Sequence, residues 1–85
     1  MSSEKLDQLE PDTSAYKILC HLAFRGSFLK PQEIAKELGE NGSTVRARLA
    51  ELKKQGLVEV KSEGYHSVIS PYDLIIKLYR DLGKK

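Results

Sequence analysis

Between Pro31 and Gly56 the sequence carries two short apolar repeats of helical period hinged on one glycine, and this stretch constrains the fold more than any other. Ile34, Ala35 and Leu38 line one side of the first helix, about two turns long. Val45, Leu49 and Leu52 line one side of the second. Pro31 suits a first helical turn, where its missing N–H costs nothing. Gly39 suits a left-handed stop, Asn41 suits an N-cap, and Gly56 terminates the second repeat. Two short helices around a glycine turn of about three to four residues make a helix-turn-helix unit.

The flanking sequence completes one domain around that unit. Upstream, Ala15, Ile18, Leu19 and Leu22 recur at helical spacing, in a helix that begins near Asp12, whose carboxylate can cap exposed amides, and ends at Gly26. Phe24, Phe28 and Leu29 are expected to seal one edge of the core. Downstream, Leu57, Val58 and Val60, then Tyr65, Val68 and Ile69, are two β-prone stretches around Ser62-Glu63-Gly64. That is a hairpin with a glycine tip, too short to stand alone and therefore expected to lean on the helices. Ser70-Pro71-Tyr72-Asp73 starts a last helix over 71–82 with a serine cap, a proline in the first turn and an acid three residues after the cap. In that helix Leu74, Ile75, Leu78 and Leu82 supply the repeat expected to cover the core. The expectation is an α+β domain over residues 12–82, ordered helix, helix, helix, strand, strand, helix, behind a flexible arm at residues 1–11. A chain of 85 residues makes a single domain.

Composition removes several function classes. The lone Cys20 lies in an apolar helical segment, so it reads as a buried thiol, and no disulfide framework or cysteine-rich metal site is possible. His21 and His66 have no carboxylate or cysteine at ligand spacing, so no metal or other cofactor is expected. Asp12, Glu33, Glu37 and the other acids form no catalytic pair, and no phosphate-cradling glycine loop is present, so the chain does not read as an enzyme. No apolar run is long enough to cross a bilayer, and the first residues lack the basic-then-apolar order of a signal peptide. A cytoplasmic location is the expectation. Net charge is only +2, but its distribution is uneven. Residues 1–12 hold Lys5 against Glu4, Asp7, Glu10 and Asp12, whereas residues 41–56 hold Arg46, Arg48, Lys53 and Lys54 against Glu51 alone. Lys77, Arg80, Lys84 and Lys85 stand against Asp81 at the end of the chain.

Three stretches can now be read together: Ile34-Ala35-Lys36-Glu37-Leu38-Gly39, Ser43-Thr44-Val45-Arg46-Ala47-Arg48-Leu49, and Leu52-Lys53-Lys54-Gln55-Gly56-Leu57-Val58. They resemble the winged-helix superfamily of bacterial and archaeal transcription regulators, the broad kind that includes the MarR, ArsR and TrmB groups. The resemblance spans about residues 13–70. It implies a winged helix-turn-helix that binds double-stranded DNA, with the helix over 42–55 in the major groove. It further implies that Asn41 caps the recognition helix and that Ser43, Thr44, Arg46 and Ala47 touch phosphates or bases. Tyr65 and His66 fall on the returning strand of the wing. Two departures stand out. Gly42 occupies a position that often carries a basic or polar side chain, and Ser62 and Glu63 stand at a wing tip that often carries Arg or Lys, with only Lys61 beside them. An acidic tip is repelled by minor-groove phosphates, which argues against a strong minor-groove role for this wing.

A helical projection at about 100° per residue sharpens the contact face. With Val45, Leu49 and Leu52 inward, the far side carries Ser43, Ala47, Ala50 and Lys54, and Arg46 and Arg48 flank it on opposite sides. Small residues in the middle let a helix sit deep in the major groove while flanking guanidiniums reach phosphates or guanine edges. Amides near Gly42 and Ser43 can receive a phosphate oxygen. Arg46 is the main candidate for reading bases, and Arg48, Lys53 and Lys54 supply salt-sensitive attraction. On the last helix Tyr72, Ile76 and Tyr79 are left around the circumference, which suggests a homodimer through this helix. The alternative function is a winged-helix protein-interaction module or adaptor subunit in a nucleic-acid-processing assembly, favoured by the weakly basic wing. RNA is a third possibility, although the missing aromatic-rich sheet argues against modules that stack single-stranded bases.

Overall fold

The computed structural model describes residues 13–83, and within them the chain folds in the expected order. Helices α1 (Ser14–Arg25), α2 (Pro31–Leu38) and α3 (Gly42–Lys54) lead into strands β1 (Val58–Lys61) and β2 (Gly64–Ser67), and α4 (Pro71–Gly83) follows. Helix α1 packs on α3 and β2, α2 lies across α3, and α4 leans chiefly on α1. Ile18, Leu19 and Leu22 of α1 meet Ile34 of α2 and Val45, Leu49 and Leu52 of α3, all essentially removed from water. Burying each side chain of this size stabilises the fold by about 1.5–3 kcal/mol. Leu29, Leu57, Val58 and Leu74 extend this cluster under the wing and the last helix.

Glycines stop the first two helices as expected. Gly26 and Gly39 both adopt φ of 68°, and their amides donate to the carbonyls of Leu22 and Ala35. At the start of α1 the cap is Thr13, whose Oγ1 accepts from the Tyr16 amide at 3.3 Å, so the helix starts after Thr13 and not at Asp12. Asp12 itself, the arm at 1–11, Lys84 and Lys85 lie outside the described residues. Ser70 Oγ accepts from the Asp73 amide at 3.2 Å and starts α4 at Pro71.

The wing is more strongly anchored than a lone hairpin. Strands β1 and β2 pair antiparallel, from Val58 opposite Ser67 to Lys61 opposite Gly64. Leu29 adds a third rung: its amide donates to the Tyr65 carbonyl at 2.9 Å, and the Tyr65 amide donates to the Leu29 carbonyl at 2.8 Å. This approach explains Gly64, which is buried at φ of 134° and is the first residue of β2, not the hairpin tip. A Cβ there would sit 2.5 Å from the Leu29 carbonyl carbon and oxygen. Val68 and Ile69 fall beyond the strand, because the Ser67 hydroxyl accepts from the Ile69 amide and donates to its carbonyl, turning the chain toward α4.

Two expectations about the core are corrected. Phe24 does not seal an edge; it is exposed, because it lies on the side of α1 away from Leu22, and only Phe28 and Leu29 of that trio are sequestered. More consequential is α4. Its only buried residues are Leu74 and Lys77, while Ile75, Leu78 and Leu82 are exposed by 52%, 40% and 62%. Lys77, 1% exposed, occupies the place against α1 that an aliphatic side chain was expected to fill. Its Nζ donates to Asp81 Oδ2 at 2.6 Å and lies 5.5 Å from the centre of the Tyr16 ring. The seat is polar because α1 presents Tyr16 and Cys20 there. The Tyr16 hydroxyl donates to the Leu74 carbonyl at 3.4 Å. Burial, then the neighbouring Cys20, pushes the Tyr16 phenol up to about 12, and burial raises the Cys20 thiol.

Candidate nucleic-acid interface

Three ion pairs from α1 brace α2 and the turn that leads into α3. His21 Nε2 meets Glu37 Oε1 at 2.5 Å, Arg25 reaches the other oxygen of Glu37 at 3.5 Å, and Lys17 pairs with Glu40 at 2.8 Å. These contacts tie α2 and the turn before α3 to α1. They were invisible at sequence level, where Glu37 and Glu40 carry no helical-period signal linking them to residues so far upstream.

At the entrance of α3, Asn41 Oδ1 accepts from the Ser43 amide at 2.9 Å and from the Ser43 hydroxyl at 2.6 Å, so Asn41 is the N-cap. Gly42 lies beneath the Arg46 side chain. A Cβ at that position would lie 3.6 Å from a terminal nitrogen of Arg46, so the guanidinium is folded back over the first turn. Asn41, Gly42, Ser43 and Arg46 thereby lie together at the helix start, with the Ser43 amide and hydroxyl both donating to Asn41. Ala47 and Ala50 are exposed along the outer side, with Lys54 beyond them, and Thr44 is half-buried at the flank. Arg46, Lys53 and Lys54 are exposed and make no ion pair among the described residues.

Arg48 differs from the other three cations. It is half-buried, its terminal nitrogen lies 3.3 Å from Glu51 Oε2, and its Nε is sequestered without a hydrogen-bond partner. Lys61 belongs to a separate group on the wing, where its Nζ lies 5.8 Å from the Phe28 ring centre. The same ring packs on His66 at 4.4 Å between centroids. His66 Nε2 meets Glu59 Oε1 at 2.6 Å across the strand pair, and this hydrogen bond holds the Glu59 carboxyl below its ordinary value. Each histidine thus has one carboxylate partner that spacing along the chain did not show. Among the described residues no group of three or more His, Cys, Asp or Glu side chains could hold a metal ion. No described helix is long and apolar enough to cross a membrane.

The chain was compared with known proteins. Residues 12–60, more than half of the chain, match the family model described as "Bacterial regulatory protein, arsR family". The match runs from the start of α1 through Val60 of β1, and so includes the whole helix-turn-helix. No curated protein and no solved structure matches the chain.

Proposed function

The chain belongs to the arsR family of bacterial regulatory proteins, non-enzymatic DNA-binding winged-helix regulators, and on that premise we propose that it lays α3 in the major groove of duplex DNA. The observation that carries this reading is the outer side of α3. Exposed Ala47 and Ala50 leave room for close approach, and Arg46, Lys53 and Lys54 beside them have no acidic partner among the described residues. Cations with no internal partner are free to neutralise phosphates and release counterions. The Thr44 amide and hydroxyl at the helix start offer further donors for a phosphate, beside a Ser43 whose amide and hydroxyl are taken up by Asn41. Arg46, folded over Gly42, is the base reader: a guanidinium presents two parallel donors matched to guanine O6 and N7. Lys61 contributes through its charge on the wing, while Glu63 at the turn keeps the tip out of the minor groove.

A homodimer through α4 fits the same reading. Tyr72, Ile76 and Tyr79 are exposed, and Ile75, Leu78 and Leu82 join them on one continuous apolar face. A two-fold dimer presents two copies of α3 to half-sites about one helical turn apart. A duplex-DNA partner also implies residence in the cytoplasm. Molar mass measured across a concentration series tests the dimer, and a monomer throughout removes it.

The DNA reading is tested by binding to mixed-sequence duplex across a salt series. The logarithm of affinity is expected to fall linearly with log salt, with a slope near −0.9 per phosphate neutralised. Arg46→Glu is expected to reduce affinity by about 100-fold or more, since it removes one cation and adds a repelled carboxylate. Wild-type protein that binds no duplex even at low salt overturns the reading.

A further inference from the structure

The recognition helix is electrically lopsided. Taking the direction of Val45, Leu49 and Leu52 as inward, Arg46 and Lys53 share one flank, and Thr44, Arg48 and Glu51 share the other. The first flank carries two cations that make no ion pair among the described residues. On the second, the single cation is already engaged by the only acid of α3, at 3.3 Å. Arg48 is also held along its length, because its Nε is removed from water and only the guanidinium end reaches Glu51. A side chain pinned this way cannot swing freely to whichever phosphate lies nearest.

We infer that Glu51 is a specificity-determining residue, which withholds Arg48 from sequence-independent phosphate binding and makes the Arg48–Glu51 pair a reader of base edges. This rests on the proposed placement of α3 in the major groove. The argument is one of charge counting. Sequence-independent affinity scales with the number of phosphates that cations neutralise. A pre-formed arginine–carboxylate pair presents no net charge to the backbone, so Arg48 adds nothing to that count while Glu51 holds it. A base edge can use both members at once, since the guanidinium donates to guanine and the free carboxylate oxygen accepts from cytosine N4. The carboxylate faces repulsion from guanine O6 and N7 and from thymine O4, which are all acceptors. The pair therefore lowers affinity for mixed sequence and retains affinity where a cytosine lies opposite Glu51 and a guanine beside it.

The test compares Glu51→Gln, Arg48→Gln and Lys53→Gln in the full chain, by salt-titrated binding to a mixed-sequence duplex and to a duplex selected by the wild type from a random pool. Glu51 is exposed, so its amide variant keeps the fold. Glu51→Gln is expected to tighten mixed-sequence binding by about threefold to tenfold at low salt and to steepen the salt slope by about 0.9, as the released Arg48 neutralises a phosphate. Its preference for the selected duplex over mixed sequence falls accordingly. Lys53→Gln is expected to flatten the slope by about 0.9, and Arg48→Gln to leave it at the wild-type value. A Glu51→Gln protein with unchanged mixed-sequence affinity and slope overturns the inference while leaving the DNA reading intact, as does an Arg48→Gln slope flattened as far as that of Lys53→Gln. Wild-type protein that binds neither duplex overturns the DNA reading itself.

Discussion

Helices α3 and α4 have the same length, 13 residues, and both alternate apolar and charged side chains at helical spacing, yet they sit in the molecule in opposite senses. Helix α3 turns Val45, Leu49 and Leu52 inward and its charges outward. Helix α4 turns Lys77 inward and leaves most of its leucines and isoleucines in water. The difference lies in what each helix finds beneath it. Under α3 are Ile18, Leu19 and Leu22 of α1 and Ile34 of α2, an apolar bed that selects apolar side chains. Under α4 are the Tyr16 ring and hydroxyl and the Cys20 thiol, which accommodate an ammonium and its carboxylate. An apolar stripe on a helix predicts that something covers it; it does not say that the same chain supplies the cover.

Truncation of one leucine on each helix exposes the contrast most strongly. Leu49 is fully buried, so Leu49→Ala is expected to lose about 2–5 kcal/mol. Leu78 is 40% exposed, and Leu78→Ala is expected to change the stability of the dilute monomer by less than about 0.5 kcal/mol. At about 4–8 °C per kcal/mol for a domain of this size, thermal melts separate the two variants easily. Equal losses in dilute protein would mean that α4 is packed as α3 is, and the contrast would fail. A loss for Leu78→Ala that grows with protein concentration would instead sharpen it, by assigning the α4 face to a second copy.

The same contrast marks how far the sequence could be read. Helix α3 was legible because burial, cap and stop all agree with its period: the inward leucines, Asn41 and the glycines on either side each point to one helix in one orientation. In α4 the period was right and the orientation was not. Lys77 falls between Ile76 and Leu78, and charge alone predicts an exposed side chain there. Only the Tyr16 and Asp81 partners, one of them 61 positions upstream, make its burial tolerable. The third rung of the wing was hidden for the same reason. Nothing near Gly64 in sequence announces that the Leu29 carbonyl passes where a Cβ would lie. On the proposed contact face, the residue types of α3 were readable, but the Arg48–Glu51 pairing that distinguishes one cation from its neighbours was not.

A middle-sized effect tests the polar seat. Asp81→Asn leaves the Lys77 ammonium, 1% exposed, without its carboxylate, and is expected to cost about 1–3 kcal/mol. Lys77→Met removes the charge and keeps the volume, and is expected to be neutral or stabilising, as replacements of buried ion pairs by apolar groups often are. Denaturant melts of the two variants decide the matter. If Lys77→Met is the worse of the two, the ammonium contributes more than occupancy of space, through Tyr16 and Asp81 together. The corresponding swap on α3, Leu49→Met, should cost less than about 1.5 kcal/mol, because that seat selects only for apolar volume.

The smallest effect is a matter of pH. Folding raises the Tyr16 phenol from its ordinary 10.0 to about 12, chiefly because burial disfavours the phenolate. The folded state therefore holds this proton more tightly than the unfolded one. Its contribution is fully present below pH 10 and is lost as pH rises from 10 toward 12. Tyr16→Phe lacks the proton, so the difference in stability between wild type and this variant should narrow over that window. Because Tyr16 lies under α4 and the seat of α3 carries no titratable group, α4 should loosen first. Backbone hydrogen exchange followed along the alkaline series would show α4 amides losing protection ahead of those of α3. Simultaneous loss in both helices would mean that the Tyr16 seat is not a separate unit. A persistent lead of α4 in Tyr16→Phe would move the cause from the phenol to the Cys20 thiol, which burial also raises in that seat.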